Sequence, residues 1–308
     1  MNLEFYAPLR LSLAGGGTDL PECYLKSGAH LLAVSLKLKV KVSVGTDIKH
    51  DSTQLNDLFK KEHPNFNVNI KSEVSPGAGL GGSGAVAVAL VAASNFLKKG
   101  KIETPLDIGL KAYKWEREIL NQPVGFQDQL ASAVGGCVEM VANSNGEISV
   151  KKRNDLLDGL AYLFEHNFVL VETGIRRNAS KILKSLGASY VDGTDDSRPA
   201  SVEEVEKAIL LKDGEMFGDI LRRHWAAKCK RLPEATTDTI DTIIQTAIEK
   251  GASGAKAIGA GAGGFVLISG KSETRTQVIN ALKKLEFKIV ETTVSTEGVN
   301  KVKEFKLK

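Results

Sequence analysis

Cysteine is scarce in this 308-residue sequence, and the three present, Cys23, Cys137 and Cys229, are odd in number and far apart. None falls in a C-x-x-C spacing, which argues against a disulfide framework and for reduced, buried thiols in a cytoplasmic protein. The opening Met1-Asn2-Leu3-Glu4-Phe5 lacks a basic stretch followed by an apolar one, so no signal peptide is expected. No uninterrupted apolar run reaches the roughly 18 residues of a spanning helix, so no membrane partner is expected. Neither sign of charge dominates. A net charge of +4 leaves no nucleic-acid footprint, although a mildly basic chain suits an anionic small substrate. The five histidines (His30, His50, His63, His166 and His224) show no metal-ligand spacing and read as surface or core residues. Internal repeats are missing, and the oligomeric state stays open.

What is present suffices for packed cores without staples, with 42% hydrophobic and 25% charged residues in an ordinary globular balance. Residues 3–14, 31–46 and Phe66 to Val74 read as strands by their alternating or continuous apolar residues. Ala85 to Leu97 reads as a buried helix. Thr104-Pro105 opens another, to about Leu120, with threonine as cap and proline in the first turn. Gly135-Gly136 ends a short helix before the strand Cys137 to Ala142, and Asn145-Gly146 marks a hairpin turn. Phe164 to Glu172 reads as the strand that opens a second domain. Helices follow at 201–211, 213–230, 234–250 and 273–285, with strands near 255–258, 265–269 and 287–294. The polar segment Val191 to Ser201 reads as a surface loop, and Lys301, Lys303, Lys306 and Lys308 as a solvated basic tail.

The sharpest chemistry lies at Gly77 to Ser83, a glycine-rich stretch between a strand and a helix. Glycines let backbone N–H groups converge on an anion, and a helix N-terminus favours phosphate. Gly-Lys-Ser/Thr occurs nowhere, which excludes a P-loop. Gly77-Ala78-Gly79-Leu80-Gly81-Gly82 does fit a dinucleotide-binding G-x-G-x-x-G. That fingerprint needs a second strand ending in an acid, however, and here Glu103 lies in a polar linker directly before Thr104-Pro105.

Pro76-Gly77-Ala78-Gly79-Leu80-Gly81-Gly82-Ser83-Gly84-Ala85 resembles the phosphate-binding motif of the GHMP kinases, with Gly82 and Gly84 where serine and alanine are commoner. Arg10 to Asp19, containing Gly15-Gly16-Gly17-Thr18-Asp19, resembles the sugar-binding signature of that superfamily. Gly254 to Gly264 resembles its third motif. The Gly-Gly-Gly-Thr-Asp-Leu-Pro string at 15–21, Gly125-Phe126-Gln127-Asp128-Gln129, and Thr173-Gly174 before Arg176-Arg177 resemble D-glycero-D-manno-heptose 7-phosphate kinases. Lys37-Leu38-Lys39 departs from their pattern.

The resemblance implies an α+β fold of two domains. A ribosomal S5 domain 2-like, ATP-binding domain is expected at 1–160 and a ferredoxin-like domain at 161–308. It implies an ATP-dependent sugar kinase acting on a heptose 7-phosphate, at its anomeric hydroxyl, to give a 1,7-bisphosphate. Fucose, galactose or an unphosphorylated heptose as acceptor, or a non-catalytic nucleotide- or sugar-binding regulator, stays open. Pro76, Gly77, Gly79, Leu80, Gly81, Gly82, Ser83 and Gly84 would hold the nucleotide, and Ser83 and Glu116 a Mg²⁺ ion. Asp128 would be general base with Arg10 beside it. Gly16, Gly17, Thr18 and Asp19 would face the sugar, with Gly261 and Gly263 from the opposite wall. Thr173 and Gly174 would also face the substrate, and Arg176 and Arg177 would clamp a second phosphate on it. Plainer readings stand beside these: Glu116 as a solvated helix residue, Asp128 as a helix-dipole aspartate and Asp19 as a turn residue.

Overall fold

A computed structural model describes residues 2–176 and 201–305. The first unit is built on an antiparallel sheet from β1 (Asn2–Ala14), β2 (Ala29–Gly45), β3 (Asn67–Ser72), β4 (Cys137–Ala142) and β5 (Ile148–Lys152). Its helices are α1 (Pro21–Ser27), α2 (Gln54–Glu62), α3 (Gly82–Lys99), α4 (Pro105–Lys114) and α5 (Gln127–Val134). Leu3, Phe5, Ala7, Leu9 and Leu11 of β1 alternate on one face and are fully buried. The small residues Ala85, Ala87, Val88, Ala89, Val91 and Ala92 let α3 lie in the same core. Thr104 caps α4 by accepting from Asp107 N–H, and the helix continues into a π turn at Trp115–Ile119 that carries Glu116.

The second unit contains β6 (Val169–Glu172), β7 (Ala252–Ala257), β8 (Phe265–Gly270) and β9 (Lys288–Ile289) in the order β7-β8-β6-β9, all antiparallel. Read from the other edge, the order is fourth, first, third, second, that of a ferredoxin-like plait. With it go α6 (Leu157–His166), α7 (Val202–Leu210), α8 (Gly214–Arg231), α9 (Asp238–Glu249) and α10 (Ser272–Lys284).

Three expectations change. Phe164, Glu165 and His166 belong to a helix, because Leu156, Leu160 and Leu163 recur at helical spacing and are fully buried; the strand begins at Val169. The basic tail is no loose end over its described part: β10 (Asn300–Phe305) pairs antiparallel with the outer edge of β1, so Lys301 and Lys303 join the first sheet, whereas Lys306 and Lys308 lie outside the described residues. Lys301 lies over the Phe96 ring at 3.8 Å. Cys23 and Cys137 are buried free thiols, but Cys229 is half-buried. Arg177 and residues 191–200 lie outside the described residues. Among those described, no helix is long and apolar enough to cross a membrane.

Candidate active site

A cleft of about 1180 Å³ opens beside the glycine loop and is lined from both units. That is room for two small ligands, since pockets for one commonly span about 300–1,000 Å³. The loop between β3 and α3 forms one wall. Gly81 takes a left-handed conformation (φ 72°) as the N-cap of α3, and Ala85 N–H makes the first helical bond to its carbonyl at 2.9 Å. Among the described residues the N–H groups of Gly82, Ser83 and Gly84 therefore have no backbone acceptor, as expected of a helix's first turn, and can meet an anion. Pro76, Gly77, Gly79, Gly81, Gly82 and Ser83 line the cleft, whereas the Leu80 side chain is fully buried beneath it.

Arg10 ties that loop to the sheet. The β1–β2 register shifts between Pro8 and Arg10, and Arg10 N–H donates to the Leu80 carbonyl at 3.0 Å. Its side chain, with the residue only 5% exposed, donates from Nη1 to the Gly79 carbonyl at 2.7 Å. Nε and Nη2 both reach Asp128 Oδ1, at 2.7 and 2.5 Å. Asp128 Oδ2 has no partner among the described residues, on a side chain one-third exposed to the cleft. Asp128 stands in the first turn of α5, and α5 crosses α3 at close range. A Cβ at Gly84 would sit 2.8 Å from Asp128 Cβ, whereas one at Gly82 would meet nothing within 4 Å. We therefore expect Gly84→Ala to destabilise the protein by about 1–3 kcal/mol through overpacking. Gly82→Ala should leave the melting temperature nearly unmoved. Equal melting temperatures for the two variants would contradict this packing.

Glu116, 1% exposed, accepts from the Ser83 hydroxyl through Oε1 and from Gln129 Nε2 at 2.6 Å through Oε2. Both partners are neutral, and burial pushes the carboxyl up to about 7, with Asp128 adding to the rise. A buried carboxylate with no cationic partner, touching a hydroxyl at the helix mouth, is a hard-oxygen donor set that fits Mg²⁺. Among the described residues no cluster of three or more His, Cys, Asp or Glu could hold an ion without other ligands.

The glycine string after β1 forms the floor. Gly16, Gly17 and Asp19 line the cleft. Asp19 accepts from Gly17 N–H through Oδ1 and from Gln127 N–H at the start of α5 through Oδ2, both at 3.2 Å. Thr18 turns away: its hydroxyl donates to the Gly15 carbonyl at 2.8 Å. Burial first, and then the Asp128 charge, push the Asp19 carboxyl up to about 6. Between its ordinary 3.8 and that value the folded state holds a proton that the unfolded chain has lost, so stability falls as pH rises. The contribution is on the order of 3 kcal/mol. Melting curves from pH 4 to 6.5 should show Asp19→Asn gaining on the wild type by that amount; parallel curves would overturn the assignment.

The third glycine segment closes the cleft from the second unit. Gly259 and Ala260 line it. Gly264 (φ 77°) abuts the glycine loop so closely that a Cβ would lie 2.3 Å from the Ala78 carbonyl oxygen. Gly261 and Gly263 instead pack against Ala235 and Ile175. Thr173 is a brace: its N–H and hydroxyl both donate to the Gly264 carbonyl, at 2.8 and 2.9 Å. Gly174 and the exposed Arg176 lie in a notch beside Pro76 and Glu172. Sequence reasoning missed Lys256, His224 and Lys228, which line the same cleft. His224 and Lys228, four apart on one helix face, were the sole local signal.

Comparison with known proteins bears on the fold and the family. The family model for the GHMP kinases N terminal domain matches residues 51–136, and that for the GHMP kinases C terminal matches residues 205–287. The chain is 27% identical over 331 positions to D-glycero-alpha-D-manno-heptose 7-phosphate kinase of Campylobacter jejuni, covering 95% of this chain and 96% of that one. Among solved structures, a D-glycero-D-manno-heptose 1-phosphate kinase from Bacteriodes thetaiotaomicron superposes with a TM-score of 0.72 at 21% identity, covering 99% and 100% of the two chains. Lactococcus lactis galactokinase complexed with galactose gives 0.66 at 15% identity, covering 98% and 95%. These likenesses carry the fold, and the two family matches take in more than half the sequence: the chain belongs to the GHMP kinase family of ATP-dependent phosphotransferases.

Proposed function

We propose that this kinase transfers the γ-phosphate of ATP to the anomeric hydroxyl of a heptose 7-phosphate, giving the 1,7-bisphosphate. The observation that carries the reading is the Arg10–Asp128 pair. Both guanidinium contacts fall on Oδ1, so Oδ2 is left to accept a proton beside the glycine loop. The similarity to a heptose 7-phosphate kinase supplies the acceptor class.

In this reading the N–H groups of residues 79–84 bind the β- and γ-phosphates. Phosphoryl transfer asks for positioning and charge neutralisation more than covalent chemistry. Ser83 and Glu116 would hold Mg²⁺, which when bound neutralises phosphate charge. Arg10 holds Asp128 in orientation through Oδ1 while Oδ2 accepts the acceptor hydroxyl's proton as its oxygen attacks phosphorus. Gly16, Gly17 and the carboxylate of Asp19 form the floor under the sugar. We also take the boundary between nucleotide-binding and second domains to lie near residue 160; residues 300–305 return to the first sheet. Separate, unpaired thiols fit a cytoplasmic setting.

An ADP-release assay across sugars and sugar phosphates tests the proposal. Heptose 7-phosphate should give the highest kcat/KM, with phosphorus NMR locating the new ester at C1. Preference for free fucose or galactose would overturn the assigned acceptor.

A further inference from the structure

The cleft has a second polar wall, contributed by the second unit. Lys256 stands near the end of β7, and His224 and Lys228 lie one turn apart on α8; all three line the cleft with Arg10 and Asp128. They are 5%, 6% and 6% exposed, in that order. Lys256 Nζ is 3.1 Å from His224 Nδ1, and Lys228 Nζ donates to the Gly259 carbonyl at 2.7 Å. With Nδ1 receiving from the ammonium, the ring proton belongs on Nε2, a further donor.

His224 feels Lys256, Lys228 and Arg231, and Lys256 feels Arg10. Among the described residues no carboxylate pairs with Lys256. The acids of that region are engaged elsewhere, Asp128 with Arg10 and Asp19 with two backbone N–H groups. Burial, then Arg10, push the Lys256 ammonium down to about 8, and burial with Lys256 holds His224 well below its ordinary range. Burying an ammonium without an anion is costly, and the usual remedy is a paired carboxylate. An anion from outside the chain would serve as well. A phosphate monoester brings about two charges and three acceptor oxygens, which match a lysine pair and an imidazole N–H.

We propose that Lys256, Lys228 and His224 bind the phosphate that the acceptor already carries, and so set the preference for a phosphorylated over a free sugar. The inference rests on the kinase reading above and deepens it. The phosphates of ATP have their own cradle in the N–H groups of residues 82–84, next to the first sheet; the three donors come from the second sheet and α8. Arg10 is the shared neighbour, holding Asp128 and close enough to depress Lys256. A sugar anchored at Lys256 by one end presents its other end to Asp128. Arg176, exposed where the notch beside Pro76 meets the cleft, is the other cation to be told apart from this group.

The test uses the whole enzyme with Mg²⁺ and a saturating non-hydrolysable ATP analogue, which fills the nucleotide cradle. Calorimetric titration should show heptose 7-phosphate binding the wild type more tightly than free heptose. Lys256→Met should weaken the phosphorylated ligand by roughly 10- to 100-fold and lower the kcat/KM ratio of the two heptoses by the same factor. Lys228→Met should repeat the loss, which covers the case in which Lys256→Met fails to fold. Equal losses for both heptoses, a loss confined to the nucleotide, or a ratio that collapses in Arg176→Ala but not in Lys256→Met would each overturn the receptor. So would wild-type protein that binds the two heptoses alike. Tight, Lys256-dependent binding without turnover would support the receptor and defeat the kinase reading alone.

Discussion

Asp128→Asn is expected to lower kcat by about 10²–10⁴ while leaving the affinity for an ATP analogue nearly unchanged. Asparagine keeps the shape, and its Oδ1 can still accept from Arg10, so the loop geometry survives. What disappears is the proton-accepting Oδ2, since an amide cannot take the acceptor's proton. In the proposed reading ATP is held by backbone N–H groups of the glycine loop, none of which the substitution touches. Single-turnover rates with calorimetry on the same protein separate the two effects. A rate within threefold of the wild type removes proton transfer to Asp128 from the mechanism. A large rise in nucleotide Kd would instead make Asp128 a strut of the loop.

The second large effect is expected from Arg10→Lys, which should lower kcat by about 10²-fold and raise the KM for ATP several-fold. The guanidinium makes three contacts to two acceptors, Asp128 Oδ1 twice and the Gly79 carbonyl once. A lysine ammonium is a point donor and cannot span that fork. Because Gly81 would place a Cβ 2.9 Å from Arg10 Cγ, the loop is moulded around the arginine stem and loosens with it. If Arg10 acts through Asp128, the double variant should lose no more than about tenfold beyond Asp128→Asn. Full multiplication of the two losses would show that Arg10 acts independently, on the transferring group.

These effects were readable at the sequence level because the glycine loop, Arg10 and the Gly-x-Gln-Asp-Gln string are each local patterns. β1, β2 and α3 were equally legible, since β1 alternates while β2 and α3 carry continuous apolar stretches bounded by polar or glycine-rich segments. Phe164 to Glu172 misled because its later half is a strand and its aromatics suit either state. What decided the outcome was Leu156, Leu160 and Leu163, whose helical spacing starts before the segment. The strand Asn300–Phe305 was hidden by its lysines, although Lys301-Val302-Lys303-Glu304-Phe305 alternates as an edge strand does. Lys256 and His224 are 32 positions apart and meet only in the folded chain, so no spacing rule could pair them. Thr173 and Thr18 look like ligands in a motif, yet their hydroxyl protons are taken up by nearby carbonyls.

The pairing of Asn2 with Phe305 joins the two ends of the described chain into one ladder. Closing so long a loop is entropically expensive, so this ladder belongs among the late steps of folding. Until it forms, the strand that carries Arg10 has a bare flank, open to strand exchange with another copy of the chain. A fragment ending near residue 160 would keep that flank permanently, and aggregation rather than an isolated nucleotide-binding unit is the expected fate of such a truncation.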